Sequence, residues 1–288
     1  MLRSLTSAIS GLQYFQQRMD VIGNNIANVN TTAFKGARTH LVDSFSDTLR
    51  SSSAATASSS GTSSMQIGFG VQLAAVHNFY TQGALTRTGV STDLAIAGEG
   101  FFVVRDTLSN AQFATRAGDF RLDGNGYLIT NTGLRVRGYS DAALTTIGDV
   151  KVDLTGIPAT SLPTAEITSF SIDGDGKLNV SLSDGTQFIR GQVLLHNFND
   201  PQGLIKEGNS LYSGIGNAGP LGGSSNPTPA PPNTSGLGKI QSGALELSNV
   251  DLANEFTDLI ITQRAYQANA RIITTSDEML QELVNLKR

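Results

Sequence analysis

The chain has 288 residues, of which 39% are hydrophobic and 15% are charged, and its formal net charge is -4. It has no basic stripe, which argues against a nucleic-acid partner. The absence of cysteine excludes disulfides, thiolate metal sites and cysteine nucleophiles. No segment approaches the roughly 20 apolar residues of a membrane span, so membrane insertion is not expected. The 31 glycines indicate many tight turns and therefore much β-structure.

The N-terminal segment has the periodicity of a long amphipathic helix. Its apolar residues recur at steps of three and four, which places them on one helical face. The helix should end near Asn28 to Thr32, because Asn and Thr side chains compete for backbone hydrogen bonds. After Arg3 the segment is too polar to be the apolar region of a cleavable signal peptide. The predicted face consists of Leu5, Ile9, Leu12, Phe15, Met19, Ile22, Ile26 and Val29.

A linker or extended segment is predicted over residues 31–70, and it contains a serine-rich stretch. Residues 51–64 read SSSAATASSSGTSS, which is uncharged and of low complexity. This composition is typical of a flexible linker. The alternative is a loop that becomes ordered only against a neighbouring subunit, and the residues themselves leave both interpretations open.

Residues 71–247 are predicted to form a β-rich outer domain of short strands and glycine-containing turns. Residues 123–126 (DGNG) form a strong hairpin signal, because Asp-Gly and Asn-Gly tolerate positive φ. Residues 173–176 (DGDG) predict a second hairpin. The proline-rich residues 227–232 cannot lie in a central strand, so they should form a loop that leads to the last helix.

Residues 248–288 are predicted to form a second long helix. Ser248 can cap it, with Asp251 three residues later as the partner in a capping box. At about 1.5 Å per residue, the helix would be on the order of 50 Å long. Its apolar face follows a seven-residue grid and consists of Leu252, Phe256, Leu259, Tyr266, Ile273, Leu280 and Val284.

Together these elements predict an α+β fold, in which a mainly-β central domain carries two long terminal helices. The helices in 1–30 and 248–288 should pair as a coiled coil, and the apolar surface left uncovered should bind other copies of the chain. The alternative is a closed two-helix cap on one monomer. The candidate assembly interface comprises Leu5, Ile9, Leu12, Met19, Ile22, Ile26, Leu252, Phe256, Leu259, Tyr266, Ile273 and Leu280.

No catalytic, cofactor or metal site is predicted. The three histidines, His40, His77 and His196, are far apart, and no pair has a metal-ligand spacing. Residues 173–176 lack the spacing of an EF-hand calcium loop, which favours a plain β-turn. Walker, GxSxG and HExxH motifs are missing, so the chain is not expected to be an enzyme.

Four segments resemble the bacterial flagellar rod and hook proteins. Residues 19–36 (MDVIGNNIANVNTTAFKG) are similar to the N-terminal signature of that family. Residues 245–288 are similar to its C-terminal helix, notably in SNVDLANEFTDLI and QRAYQANARII. Residues 94–104 (LAIAGEGFFVV) and 113–130 (FATRAGDFRLDGNGYLIT) also resemble the family.

The resemblance implies a structural subunit that polymerises head to tail into a helical tube. The terminal helices would line the inner tube, and the β-domain would form the outer layer. Two segments look most like the hook protein, namely residues 279–288 (MLQELVNLKR) and 134–139 (LRVRGY). The hook is a universal joint that transmits torque. The alternative is the distal rod of the basal body, a drive shaft, with which the serine-rich segment is compatible. The chain has little room for the extra outer β-domain of larger hook proteins.

The resemblance also implies partners and a location. The partners would be other copies of the chain, the flagellar rod and hook–filament junction proteins, and the flagellar type III export apparatus. The protein would lie in the hook or basal body after export without signal cleavage. Two interpretations from other classes remain: a secreted β-domain enzyme with helical ends, and a soluble adaptor that caps or chaperones a filament.

Overall fold

The computed structural model describes residues 2–55, 60–156, 166–219 and 229–286. The protein is mainly β with two long helices, which confirms the predicted α+β class. It divides into two compact units. Unit 1 comprises Met1–Ala27, Gly36–Phe79 and Asp251–Arg288, and unit 2 comprises Asn28–Lys35 and Tyr80–Val250. The boundaries expected from the sequence, at 1–30, 31–70, 71–247 and 248–288, stay predictions.

Two helices dominate unit 1, namely α1 (Leu2–Ala27) and α2 (Leu252–Leu286). The predicted cap of α2 at Ser248 is wrong, because Asp251 occupies that position. Asp251 Oδ1 accepts a hydrogen bond from the Ala253 N–H at 2.9 Å, which satisfies a free donor in the first turn. The Ser248 hydroxyl instead accepts a hydrogen bond from the Val250 N–H, before the helix begins.

Within unit 1 the two helices pack along a line of small and polar residues. A Cβ atom on Gly11 of α1 would lie 2.6 Å from Asn269 Nδ2 of α2, so a larger residue at this position would displace the Asn269 side chain. The buried residues of α2 are Thr262 and Ser276, one heptad to either side of Asn269. Arg18 and Asp258 add an ion pair of 3.2 Å between the helices.

Unit 1 also contains two antiparallel strand pairs. β1 (Ala37–Asp43) pairs with β4 (Val71–Asn78), and β2 (Ser46–Arg50) pairs with β3 (Met65–Gly68). The serine-rich segment follows β2, and its flanks continue the ladder through a bridge between Ser53 and Thr62. Residues 56–59, in the middle of that segment, lie outside the described residues, so its flexible and ordered interpretations both stay predictions.

Unit 2 is built on a large antiparallel sheet. The strands of the unit are β5 (Leu85–Arg87), β6 (Leu94–Ala97), β7 (Phe101–Arg105), β8 (Gln112–Thr115), β9 (Arg121–Leu122), β10 (Leu128–Ile129), β11 (Arg135–Tyr139), β12 (Ile147–Asp149), β13 (Ile167–Ile172), β14 (Lys177–Leu182), β15 (Gln187–Val193), β16 (Leu195–His196), β17 (Ile205–Gly208), β18 (Leu211–Ser213), β19 (Lys239–Ser242) and β20 (Ala244–Glu246). The central strands of the sheet follow the order β13-β14-β15-β11-β7-β8-β18-β17. β10 and β12 pair with β11, β9 pairs with β10, and β16 pairs with β7, while β19–β6 and β20–β5 form separate pairs. A short 3₁₀ turn lies at Pro201–Gly203.

Both hairpin turns read from the sequence are present in unit 2. Gly126 has φ +82° and donates its N–H to the Asp123 carbonyl at 2.8 Å. Gly176 has φ +77° and donates to the Asp173 carbonyl at 3.0 Å. Asp173 Oδ1 accepts the Lys177 N–H at 2.8 Å, so its carboxylate stabilises the turn. Residues 173–176 are therefore the plain β-turn that was expected.

The core of unit 2 consists of apolar side chains from many of its strands. Its main cluster contains residues that are almost completely buried, among them Phe102, Val104, Val136, Leu178 and Val180. A second cluster is aromatic and includes Phe101, Phe198 and Tyr212. These two clusters fix the strand register, because a one-residue slip would turn the apolar face of a strand to solvent.

Candidate assembly surfaces

The six predicted interface residues of α1 differ in exposure. Ile22 is only 4% exposed and therefore already packs inside unit 1, whereas Ile9 is 39% exposed. The other four are half-buried, and they are Leu5, Leu12, Met19 and Ile26. The face of α1 is therefore partly used within the chain, and its role in assembly stays a prediction.

The six predicted residues of α2 fall into two groups. Leu252 and Phe256, near its start, are 39% and 49% exposed. The other four recur at heptad spacing, are half-buried and flank the packing line of Thr262 and Ser276; they are Leu259, Tyr266, Ile273 and Leu280. The four later residues are thus partly covered within the chain, the first two are open, and the role of all six in assembly stays a prediction.

Further exposed apolar residues of α2 escaped the sequence analysis, because they lie off the seven-residue grid. These side chains are 43% to 57% exposed and are Ile260, Ile261, Ile272, Met279 and Leu283. Ile260 continues the side of Phe256, and the other four lie together on another side of the helix. A helix with apolar residues on several sides is typical of one that contacts several neighbours.

The β2–β3 pair of unit 1 is a second apolar surface that the sequence analysis missed. Phe45, just before β2, is 84% exposed, and Leu49, Met65 and Ile67 are 42% to 52% exposed. Single exposed apolar residues need no explanation, but clustered ones mark an interaction surface. Alternating apolar residues in 65–69, together with Phe45 and Leu49, were the available signal.

Asn25, within the signature segment 19–36, ties three elements of unit 1 together. Its side chain is 1% exposed. Asn25 Nδ2 donates to the Ala37 carbonyl at 2.8 Å and to Glu255 Oε1 at 3.1 Å, while Asn25 Oδ1 accepts the Ala37 N–H at 3.0 Å. This buried amide therefore fixes α1 against β1 and α2, so its role is structural.

Lys35, from the same signature, lies in a buried ionic network of unit 2. Lys35 Nζ donates to Glu246 Oε1 at 2.6 Å and to the Thr81 carbonyl at 2.8 Å. Both side chains of the pair are 0% exposed. Glu246 Oε1 also accepts the Gly83 N–H at 2.8 Å, and Arg116 lies 3.5 Å from Glu246 Oε2. Burial lowers the pKa of Lys35, and the adjacent carboxylate opposes that shift.

The prediction that the three histidines are far apart is wrong for His40 and His77. His40 of β1 and His77 of β4 meet edge to face, with ring centroids 4.7 Å apart, because the two strands are antiparallel partners. Two imidazoles make an incomplete ligand set. In the part of the chain that the structure describes, no group of three or more His, Cys, Asp or Glu could hold a metal ion.

His196 is buried in unit 2, in strand β16. It is 2% exposed, and its ring stacks on Phe198 with centroids 4.7 Å apart. Neither ring nitrogen has a well-formed hydrogen bond within the described residues. Burial lowers the pKa of His196 and outweighs a weaker opposing interaction with the Asn197 backbone. The imidazole is therefore held in its neutral form.

We expect acid to destabilise unit 2 through His196. Because its folded pKa lies below the ordinary value, the unfolded state binds more protons, and stability falls as the pH drops from about 7 to about 5. His196→Phe should flatten this dependence, since phenylalanine keeps the stacking and cannot ionise. The free energy of unfolding at each pH is measured by urea titration, with the near-UV circular dichroism of tyrosine as the signal. A slope in His196→Phe equal to that of the wild-type protein would contradict the assignment.

No described helix combines the length and apolar character needed to cross a membrane.

Three family profiles match the chain in consecutive regions. A flagella basal body rod protein profile matches residues 5–35, and a flagellar hook protein FlgE/F/G D1 domain profile matches residues 95–180. A flagellar basal body rod FlgEFG protein C-terminal profile matches residues 241–286. The first and last matches contain the helical ends, and the second lies in unit 2.

Full-length relatives are also similar to the chain. The flagellar basal-body rod protein FlgG of Bacillus subtilis (strain 168) is 43% identical over 288 residues, and the match covers all of both chains. FlgG of Borreliella burgdorferi is 33% identical over 292 residues, again covering both chains completely. The flagellar hook protein FlgE of the same bacterium is 27% identical over 449 residues and covers both.

These matches define a structural component of the bacterial flagellum rather than an enzyme. The chain belongs to the flagellar rod and hook protein family. Within that family, the hook was the first interpretation of the sequence, and the relatives favour the rod alternative instead. The hook relative aligns over 449 residues, so it contains long segments with no counterpart in this chain.

Proposed function

We propose that the protein is a subunit of the distal rod of the flagellar basal body. The observation that carries this proposal is the end-to-end match to rod proteins at 43% identity without a difference in length. The hook relative, at 27%, needs long insertions, which agrees with the absence of sequence for an extra outer domain. A rod subunit acts as part of a drive shaft and has no catalytic step.

The terminal helices would form the inner layer of a tube, with α1 and α2 paired as a coiled coil. The heptad recurrence of Leu259, Tyr266, Ile273 and Leu280 beside the α1 contact supports this pairing. The apolar residues that stay exposed on α2 would then contact α1 and α2 of other copies. Each large side chain buried in this way would stabilise the polymer by about 1.5–3 kcal/mol.

The partners of such a subunit would be further copies of itself and neighbouring rod and hook proteins. The contacts would be head to tail, since one surface of a copy meets a different surface of the next and the tube stays open at its growing end. Export through the flagellar type III apparatus in an unfolded state is part of the proposal, and the absence of cysteine is compatible with it.

Electron micrographs of polymer grown from the purified protein test the proposal. We expect uniformly straight and rigid tubes, because a drive shaft must transmit torque without bending. Curved, flexible tubes would favour the hook. A protein that forms no polymer at any concentration would fit the adaptor interpretation. Polymer of the Bacillus subtilis relative, prepared in parallel, is the reference for tube shape.

A further inference from the structure

Unit 2 contains a cavity of about 230 Å³. Four segments line it, namely residues 31–32, 115–119, 130–132 and 209–211, and most of their side chains are Thr, Ser or Asn. The cavity is smaller than the roughly 300–1,000 Å³ of pockets that bind small molecules. No aromatic ring lines it, so it lacks a surface on which a sugar or base could stack. Its size fits a single amino-acid side chain.

Hydrogen bonds between the lining segments hold the cavity open. The Thr115 hydroxyl donates to the Ser210 carbonyl at 2.9 Å, and the Ser210 hydroxyl donates to the Thr32 carbonyl at 3.2 Å. The hydroxyls of Thr130 and Thr132 bond to each other at 2.8 Å. The first two contacts join residues that are distant in sequence, so the cavity is formed by the tertiary structure of unit 2.

Asp119 is the charged residue of the lining. Its carboxylate is half-buried and accepts a hydrogen bond from Asn131 Nδ2. No Lys, Arg or His of the described chain forms an ion pair with it. Burial raises the pKa of Asp119, and the nearby charge of Asp93 raises it further. A partly desolvated carboxylate without a cation is a site that an incoming positive charge would stabilise.

We propose that this cavity receives a lysine or arginine side chain from a second copy of the chain, with Asp119 as its counter-ion. The proposal rests on the proposed function, because a polymer subunit meets other copies of itself through unlike surfaces. Exposed cations that could enter the cavity are available. Eight exposed basic side chains form no ion pair within the described residues, and they are Arg38, Arg50, Arg87, Arg121, Lys206, Lys239, Arg264 and Arg271.

Asp119→Asn tests the proposal, because it removes the charge and keeps the shape and the contact with Asn131. We expect the critical concentration for polymerisation to rise about tenfold at low salt. We also expect the critical concentration of the variant to depend less on salt than that of the wild-type protein. Asp119→Lys, which places a like charge in the cavity, should raise the critical concentration further. The control is Asp175→Asn, which removes the same charge from an exposed turn of unit 2.

Near-UV circular dichroism of each variant shows that unit 2 is folded before assembly is compared. The expected order of critical concentrations is wild type and Asp175→Asn lowest, then Asp119→Asn, then Asp119→Lys. If Asp119→Asn polymerises like the wild type at every salt concentration, the inference is overturned and the proposed function stands. If the wild-type protein itself never polymerises, that result contradicts the proposed function, on which the inference rests.

Discussion

Leu259→Asp should strongly weaken polymerisation while unit 2 stays folded. Leu259 is half-buried near the first helical contact in unit 1, and the Arg18–Asp258 ion pair lies next to it. An aspartate there would place a second carboxylate beside Asp258 in a half-buried position, where Arg18 is already paired with Asp258, which is costly. We expect the critical concentration to rise by more than about tenfold, which corresponds to about 1.4 kcal/mol per subunit. Sedimentation separates polymer from monomer, and the concentration of monomer left in solution gives the critical concentration.

Two further variants distinguish an effect on assembly from an effect on the folding of the helices. Leu259→Met keeps the apolar character and nearly the volume of the side chain, so it should polymerise almost as the wild type does. Phe256→Asp changes a residue that is 49% exposed in the isolated chain, so it should leave the monomer intact and still weaken assembly. Normal filaments from both aspartate variants would refute the assignment of this helix surface.

Glu246→Gln should cause the largest loss of stability in unit 2. Glu246 is 1% exposed and faces two cations, Lys35 and Arg116. Removing its charge would leave a buried ammonium group without a counter-ion, which typically costs about 3–5 kcal/mol. The free energy of unfolding, measured with urea and followed by tyrosine near-UV circular dichroism, should fall by that amount. A change within about 0.5 kcal/mol, as expected for an ordinary surface substitution, would contradict this role.

Lys35→Met and Glu207→Gln are the matched comparisons for Glu246→Gln. Lys35→Met should be less damaging, because Glu246 would keep Arg116 and the Gly83 N–H as partners. Glu207→Gln makes the same chemical change on an exposed strand and should be nearly neutral. The expected order of stability loss is therefore Glu246→Gln, then Lys35→Met, then Glu207→Gln.

Local patterns in the sequence predicted much of the fold. Heptad spacing placed Leu259, Tyr266, Ile273 and Leu280 on one side of α2, and the structure has them there. The Asp-Gly and Asn-Gly turns are also as expected, because their backbone conformation depends on neighbouring residues only. The cap of α2 was misplaced by one turn, since Ser248 and Asp251 are both good capping residues and only the tertiary structure selects between them.

Features that depend on distant residues could not be predicted. Lys35 and Glu246 lie 211 positions apart, and no local pattern connects them. The meeting of His40 and His77 requires the register of the β1–β4 pair. The apolar residues on the other sides of α2, such as Ile260 and Met279, were visible in the sequence. They were missed because only one helical face was followed.

Amide hydrogen exchange on monomer and polymer tests most directly the claim that the terminal helices bind other copies of the chain. Exposed apolar residues leave α2 weakly stabilised in the isolated protein, so its amides should exchange quickly there. Assembly should bury those residues and slow exchange over Leu252–Leu286, while the core strands of unit 2, such as Phe101–Arg105, are protected in both states. Equal protection of α2 in monomer and polymer would show a self-contained helical cap and contradict the account.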